Sequence, residues 1–286
     1  MGNTLKTTLL LGLLSGLLLF IGDALGGRSG LVMAFGFAVL MNFASYWFSD
    51  KIVLAMYKAQ PVGPDHPLSR IVARLAQRAN LPMPKVYVIP DASPNAFATG
   101  RDPQHSHVVA TRGLLDKLEP IELEAVIAHE MSHIGNYDIR IMTLATVLVG
   151  LVALISDLFL RWSFLGAGSR RGNRDRDGGI GVLVILVIAI IGAILAPIVA
   201  QAIKFGISRQ REYLADASGA LLCRHPEALA RALEKISSDP EPLEVANKAT
   251  AHLYISNPLK EHASFLNNMF DTHPPIEERI RLLRSM

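Results

Sequence analysis

A chain of 286 residues that is 50% apolar and only 19% charged is excluded from the disordered class and carries too much apolar surface for a wholly soluble globule. Its 28 Lys and Arg against 25 Asp and Glu leave a formal charge of +3, which, with no basic-aromatic patch, excludes a nucleic-acid partner. One cysteine, Cys223, excludes an intrachain disulfide and requires any metal site to use other ligands.

Four apolar stretches, residues 7–25, 31–48, 141–160 and 180–205, each approach the ~20 residues a helix needs to cross hydrocarbon. The first two are separated only by Gly26-Gly27-Arg28-Ser29-Gly30, a turn-rich break that predicts an antiparallel helical hairpin. Lys6 before a Leu-rich run also fits a secretory signal, but the immediately following second apolar helix favours the hairpin. The expected organisation is a membrane hairpin over 1–48, a first catalytic piece over 49–140, a second hairpin over 141–205 enclosing an Arg-rich loop at 166–179, and a second catalytic piece over 206–286. If the second hairpin crosses twice, both catalytic pieces share one side of the membrane.

Within the first polar piece, periodicity predicts a helix over 68–79 and short strands over 85–89 and 107–111. Pro120 then opens a helix over 121–138 with apolar Leu123, Val126, Ile127 and Met131. In the second piece, residues 208–223, 226–237 and 275–283 read as helices. The fold class is a mainly α membrane protein with four candidate spans and an α+β catalytic domain holding a small β-sheet.

The chemistry lies in Ala128-His129-Glu130-Met131-Ser132-His133. On a helix, residues four apart share a face one turn apart, so His129 and His133 can both offer imidazole nitrogens to one zinc ion. Glu130 then stands beside the metal, placed to take a proton from an activated water and pass it to a leaving amine. The bland alternative is two histidines on a solvated helix face.

A tetrahedral zinc needs a third protein ligand besides water. The extended pattern HExxHxxGxxH fails, with Asn136 and Ile139 at its last two fixed positions, so that ligand is distant in sequence. Glu212, in Arg211-Glu212-Tyr213-Leu214-Ala215-Asp216, is the best candidate, and Asp216 one turn later can orient a ligand histidine. The competing reading is an exposed helix whose acids pair with Arg209 and Arg211. His133 lies eight residues before the third apolar stretch and Glu212 eight after Lys204, near the end of the fourth. Were each span continuous with its polar helix, both ligands would stand about 12 Å beyond the bilayer.

His129 to His133, Arg211 to Asp216, Ser93-Pro94-Asn95-Ala96-Phe97-Ala98-Thr99-Gly100 and Thr272-His273-Pro274, in that combination and with four apolar stretches, resemble the HtpX-type membrane zinc metalloproteases, a family that includes the CaaX prenyl endopeptidases. The resemblance spans nearly the whole chain. It implies a zincin-like domain with one Zn2+ per chain, held by His129, His133 and Glu212, and Glu130 as catalytic base. It implies a multi-pass protein of the bacterial inner membrane, acting in stress response and protein quality control on membrane-protein and unfolded polypeptide substrates. The prenyl enzymes enclose their site in seven helices; four stretches put a prenyl-protein substrate in doubt.

The resemblance also makes Asn95, Ala96, Phe97 and Ala98 part of an edge strand that grips an extended peptide through main-chain hydrogen bonds. The alternative for Asn95 is an ordinary turn in which it satisfies its own backbone. His273 has two functional readings, stabilising the oxyanion or ligating zinc in a resting form, against a surface histidine behind a capping Thr272. Arg279 can assist in a way the sequence does not define. His105 and His107 read as loop or surface residues, and the arginines at 170, 171, 174 and 176 as a solvated loop meeting lipid headgroups.

Lys6, Lys51 and Lys58 flank the first hairpin, whose turn carries only Arg28, which puts the catalytic pieces in the cytoplasm. The Arg-rich loop of the second hairpin argues the other way unless that hairpin is shallow or re-entrant; the first pair is given priority. Two rivals stand beside a general endopeptidase: a processing protease for one lipidated or secreted substrate, and a non-catalytic zinc-stabilised scaffold, which would not need Glu130.

Overall fold

A computed structural model describes residues 3–147, 209–239 and 274–286. The Arg-rich loop, the fourth apolar stretch, most of the third, Thr272 and His273 lie outside the described residues.

Helix α1 (Asn3–Trp47) is two helical arms broken at Gly27, whose φ of 55° and ψ of −141° suit only a residue without Cβ. The predicted hairpin break thus falls inside the Gly26 to Gly30 run. Asn42 Nδ2 donates to Ser15 Oγ across the arms at 2.7 Å, a polar clasp of the kind that holds helices together in lipid. Gly26–Trp47, 22 residues, is long and apolar enough to cross a membrane, and it leaves Val32, Met33, Phe35 and Leu40 more than half exposed.

Helix α2 (Ser49–Met56) follows at once, then β1 (Gln60–Pro61), α3 (Pro67–Ala79), β2 (Lys85–Ile89), β3 (Ala96–Gly100), β4 (Ser106–Thr111) and α4 (Arg112–Lys117). His66 caps α3 through Nδ1, which accepts from Leu68 N, and Pro67 fills its first position. The small sheet runs β1-β2-β4-β3. β2 and β4 are parallel and the outer pairs antiparallel, which leaves β3 at one end.

Side chains alternate across the pleat. Val86, Ala96, Ala98, Val108 and Ala110 face a core shared with α3 and with the long helix α5 (Pro120–Gly135). Ile89, Phe97 and Val109 face the other way and meet Val53 of α2, Tyr57 just after it and Met142. α5 starts as Pro120 predicts, with Glu119 N donating to Glu122 Oε2.

The expected helix over 121–138 stops at Gly135. Tyr137 takes a left-handed φ of 60°, and a second helix, α6, begins at residue 138 and runs to the end of this described segment at 147. The 12 Å height drawn from a single helix axis therefore does not apply to His133. Residues 141–147, the start of the third apolar stretch, are buried, and Met142, Ala145 and Val147 belong to the cluster on the outer sheet face. Helices α7 (Arg209–Cys223), α8 (Pro226–Ser237) and α9 (Ile276–Arg284) complete the described chain, α7 lying along α5 and α8 and α9 behind it.

Candidate metal centre

His129, Glu130 and His133 leave successive turns of α5, and Glu212 leaves the first turn of α7. All four are buried, at 1 to 2% exposure. One donor atom from each of His129, His133 and Glu212 lies within 4.8 Å of the other two. His129 Nε2 and His133 Nε2 are 3.2 Å apart; Glu212 Oε1 is 3.5 Å from His133 Nε2 and Oε2 is 3.9 Å from His129 Nε2. The donors therefore come together on one point.

Behind each imidazole stands a carboxylate. Asp216 Oδ1 is 2.9 Å from His129 Nδ1, and Asp138 Oδ2 is 3.2 Å from His133 Nδ1. Carboxylates on the Nδ1 atoms favour the tautomer whose Nε2 lone pair is free. Two such lone pairs and a carboxylate facing one another in a buried space repel unless a cation sits among them. A tetrahedral zinc with bonds of about 2.1 Å has ligand-to-ligand edges of about 3.4 Å; the spacings above fit it.

The electrostatics of the cluster agree. Burial alone would lower the His133 pKa, but the hydrogen bond to Asp138 and the charges of Glu212 and Glu130 outweigh it and push it up to about 9. A proton thus balances the cluster where a metal would. His129 is lowered by burial, which with the charges of His133 and Arg279 outweighs the Asp216 contact. Burial raises Glu130 to about 8, in the range a proton shuttle needs at neutral pH. Its Oε2 accepts the Ala98 backbone N–H at 2.9 Å.

Arg279, fully buried on α9, answers what the sequence left undefined. Its Nε and Nη2 donate to Asp216 Oδ2 and Oδ1 at 2.8 and 2.7 Å, and its Nη1 lies 3.8 Å from Glu212 Oε2. Burial tends to raise Asp216, yet this bidentate contact holds its carboxyl below the ordinary value. The alternative of an exposed helix pairing Glu212 and Asp216 with Arg209 and Arg211 is overturned: both acids are buried, and Arg211 instead pairs with Asp138 and donates to Asn136 O.

Asp138, its pairing with Arg211, and Gly219 escaped the sequence reading. Asp138 lies five residues past His133, and only the break at Tyr137 turns it back toward that ring. A Cβ on Gly219 would stand 2.8 Å from His129 Cα and N, so α7 and α5 touch backbone to backbone at the site.

Asn95 to Ala98 lie at the start of β3. Asn95 stands just before the strand: its Oδ1 accepts Ala96 N at 2.9 Å, and its carbonyl oxygen accepts Thr111 N. All four are buried, at 1 to 3% exposure. His107 is corrected: it is a buried β4 residue whose Nε2 is 2.9 Å from Asp50 Oδ2, because the strand that carries it lies beneath α2. His105 remains half exposed against Asp102.

The pattern of peptidase family M48 matches residues 64–286. The chain belongs to peptidase family M48. A Protease HtpX homolog of Syntrophobacter fumaroxidans is 50% identical over 290 residues, 100% of each chain. That of Pyrococcus furiosus is 48% identical over 290 residues, covering 100% of this M48 chain and 96% of its own. That of Thermococcus sibiricus is 46% identical over 295 residues. Among solved structures, the crystal structure of S. mikatae Ste24p matches with a TM-score of 0.47 and 20% identity, covering 98% of this chain and 65% of that one, less than two thirds of its length.

Proposed function

We propose that this M48 protein is a membrane-bound zinc endopeptidase that cleaves misfolded or damaged membrane proteins and unfolded polypeptides at the cytoplasmic face of the plasma membrane. The observation that carries the reading is the convergence of His129, His133 and Glu212 within 4.8 Å, with Glu130, which a purely structural site does not need, beside them. When bound, the zinc supplies Lewis-acid activation of a water and of the scissile carbonyl.

The chain's own residues do the rest. Asp138 and Asp216 fix the two imidazole rings, and Arg279 holds Asp216 in register with Glu212. Glu130, whose proton affinity lies near neutral pH, takes a proton from the attacking water and returns it to the departing amine. The end position of β3 supports an extended substrate pairing beside Asn95 to Ala98, once what covers the strand has moved aside. That pairing uses main-chain groups and gives broad sequence tolerance.

The test is Glu130→Gln in the full chain. Casein cleavage vanishes while bound zinc persists; proteolysis equal to the wild type refutes the mechanism. The placement of the catalytic pieces is checked by adding trypsin to sealed inverted vesicles, where they are cut without detergent.

A further inference from the structure

We infer that the protein measures where it cuts: it is set to cleave the segment of a membrane-anchored substrate that lies within about twenty residues of its exit from the bilayer. This rests on the peptidase reading and adds to it a substrate class, an extended juxtamembrane segment of a chain held in the same membrane.

The membrane surface is marked by the end of the span. Gly26–Trp47 has 22 residues, about 33 Å at 1.5 Å per residue, against a hydrocarbon core of about 30 Å. It ends in a cluster of Phe43, Tyr46 and Trp47, with ring centroids 6.0 and 5.8 Å from that of Trp47. Ser49, Asp50 and Lys51 follow directly. Amphipathic rings before a polar run settle at the headgroup level, so Trp47 marks the interface.

The catalytic sheet is fastened to that mark. Arg101, the residue after β3, places its guanidinium 4.9 Å from the Trp47 ring centroid and donates to Trp47 O at 3.5 Å. Arg140 Nε in turn donates to Arg101 O at 2.7 Å. Next to this stack, the buried Asp50 and His107 pair ties α2 to β4, and Tyr57, which follows α2, meets Phe97 of β3 with centroids 5.2 Å apart. Thr143 Oγ1 accepts the outward N–H of Gly100 at 3.0 Å. These contacts join β3 and β4 to the end of α1, to α2 and to α6, so the height of the strand above the lipid is fixed.

The reacting group sits a short way along the same strand. Glu130 accepts the N–H of Ala98, three residues before Arg101, or about 10 Å at 3.3 Å per extended residue. Adding about 6 Å for the Arg101 side chain, the 4.9 Å from guanidinium to ring and the 2.9 Å from Ala98 N to Glu130 bounds Glu130 within about 24 Å of the interfacial ring. A flexible tether of n residues spans about 5.5 Å × √n, so that bound is reached near twenty residues. Effective concentration then falls as the −3/2 power of length, roughly fivefold by 60 residues.

The experiment places the zinc-loaded full chain in liposomes with a single-span substrate whose tail, on the catalytic side, repeats one cleavable hexapeptide over about 60 residues. Early cuts are mapped by mass spectrometry. Cuts concentrate within about twenty residues of the exit and fall roughly fivefold by residue 60. A Trp47→Ala, Arg101→Ala double variant still degrades anchorless casein but gives a flatter profile. A wild-type profile that is even along the tail overturns the inference and leaves the peptidase reading intact. Failure of the wild type to cut either tail or casein overturns the peptidase reading instead.

Discussion

Gly219→Ala tests whether the ligand helices must touch. The added Cβ would meet His129 Cα and N at 2.8 Å and Ala128 C at 3.1 Å, whereas carbon atoms rest at about 3.5 to 4.0 Å. The obstacle is backbone, which cannot rotate away, so α5 and α7 must separate by about 1 Å. Overpacking of this kind costs about 1 to 3 kcal/mol. The larger effect falls on the metal. Glu212 leaves α7 two turns from Gly219 and must meet two imidazoles on α5, and metal–ligand distances tolerate only about ±0.2 Å. A 1 Å displacement of a reacting geometry costs about a hundredfold in rate. The variant is expected to unfold at a Tm lowered by a few degrees, to bind zinc at least tenfold more weakly in a competition titration with a chelating dye, and to cleave casein about a hundredfold more slowly. Gly219→Ala with wild-type zinc affinity and wild-type proteolysis would show that the close approach does not set the site.

Asp138→Asn leaves the shape but removes the charge behind His133, and zinc affinity is expected to fall about 10- to 100-fold, measured by the same titration; an unchanged affinity would remove Asp138 from the site. Zinc binding to the metal-free protein must displace the proton that His133 holds up to about pH 9, so apparent affinity rises about tenfold per pH unit between pH 6 and 8, and a flat profile refutes the balance described for the cluster. Burial raises Asp50, but the hydrogen bonds with His107 and the Lys51 backbone, together with the charges of His107 and Arg101, outweigh it and keep the carboxyl below its ordinary value of 3.8. A depressed carboxylate stabilises the fold above its unfolded pKa and loses that contribution as pH falls through the folded one. The wild type therefore loses stability below about pH 4 more steeply than Asp50→Asn, measured by thermal melts, and identical slopes would show that the pair carries no linkage.

Local sequence determined α3, the start of α5, α7, α8 and α9, the hairpin break and the histidine pair. Periodicity places apolar side chains on one helix face whatever the helix packs against, Gly27 supplies a conformation few other residues accept, and the four-residue spacing of His129 and His133 is a property of the helix alone. It also pointed to Glu212 and Asp216, since a second helix with acids one turn apart is visible without knowing its neighbour. Tertiary structure decided the remainder because each remaining feature is a meeting between distant elements. Asp138 reaches His133 only because the backbone reverses at Tyr137, and that reversal depends on where α6 packs. Arg279 acquires a role only when α9 is folded against α7, and Gly219 only when α7 lies on α5. His107 looked like a loop residue because nothing near it in sequence names Asp50, which is 57 residues away. Such pairings are made by burial, which removes water as the alternative partner, and burial belongs to the assembled fold rather than to any local run of residues.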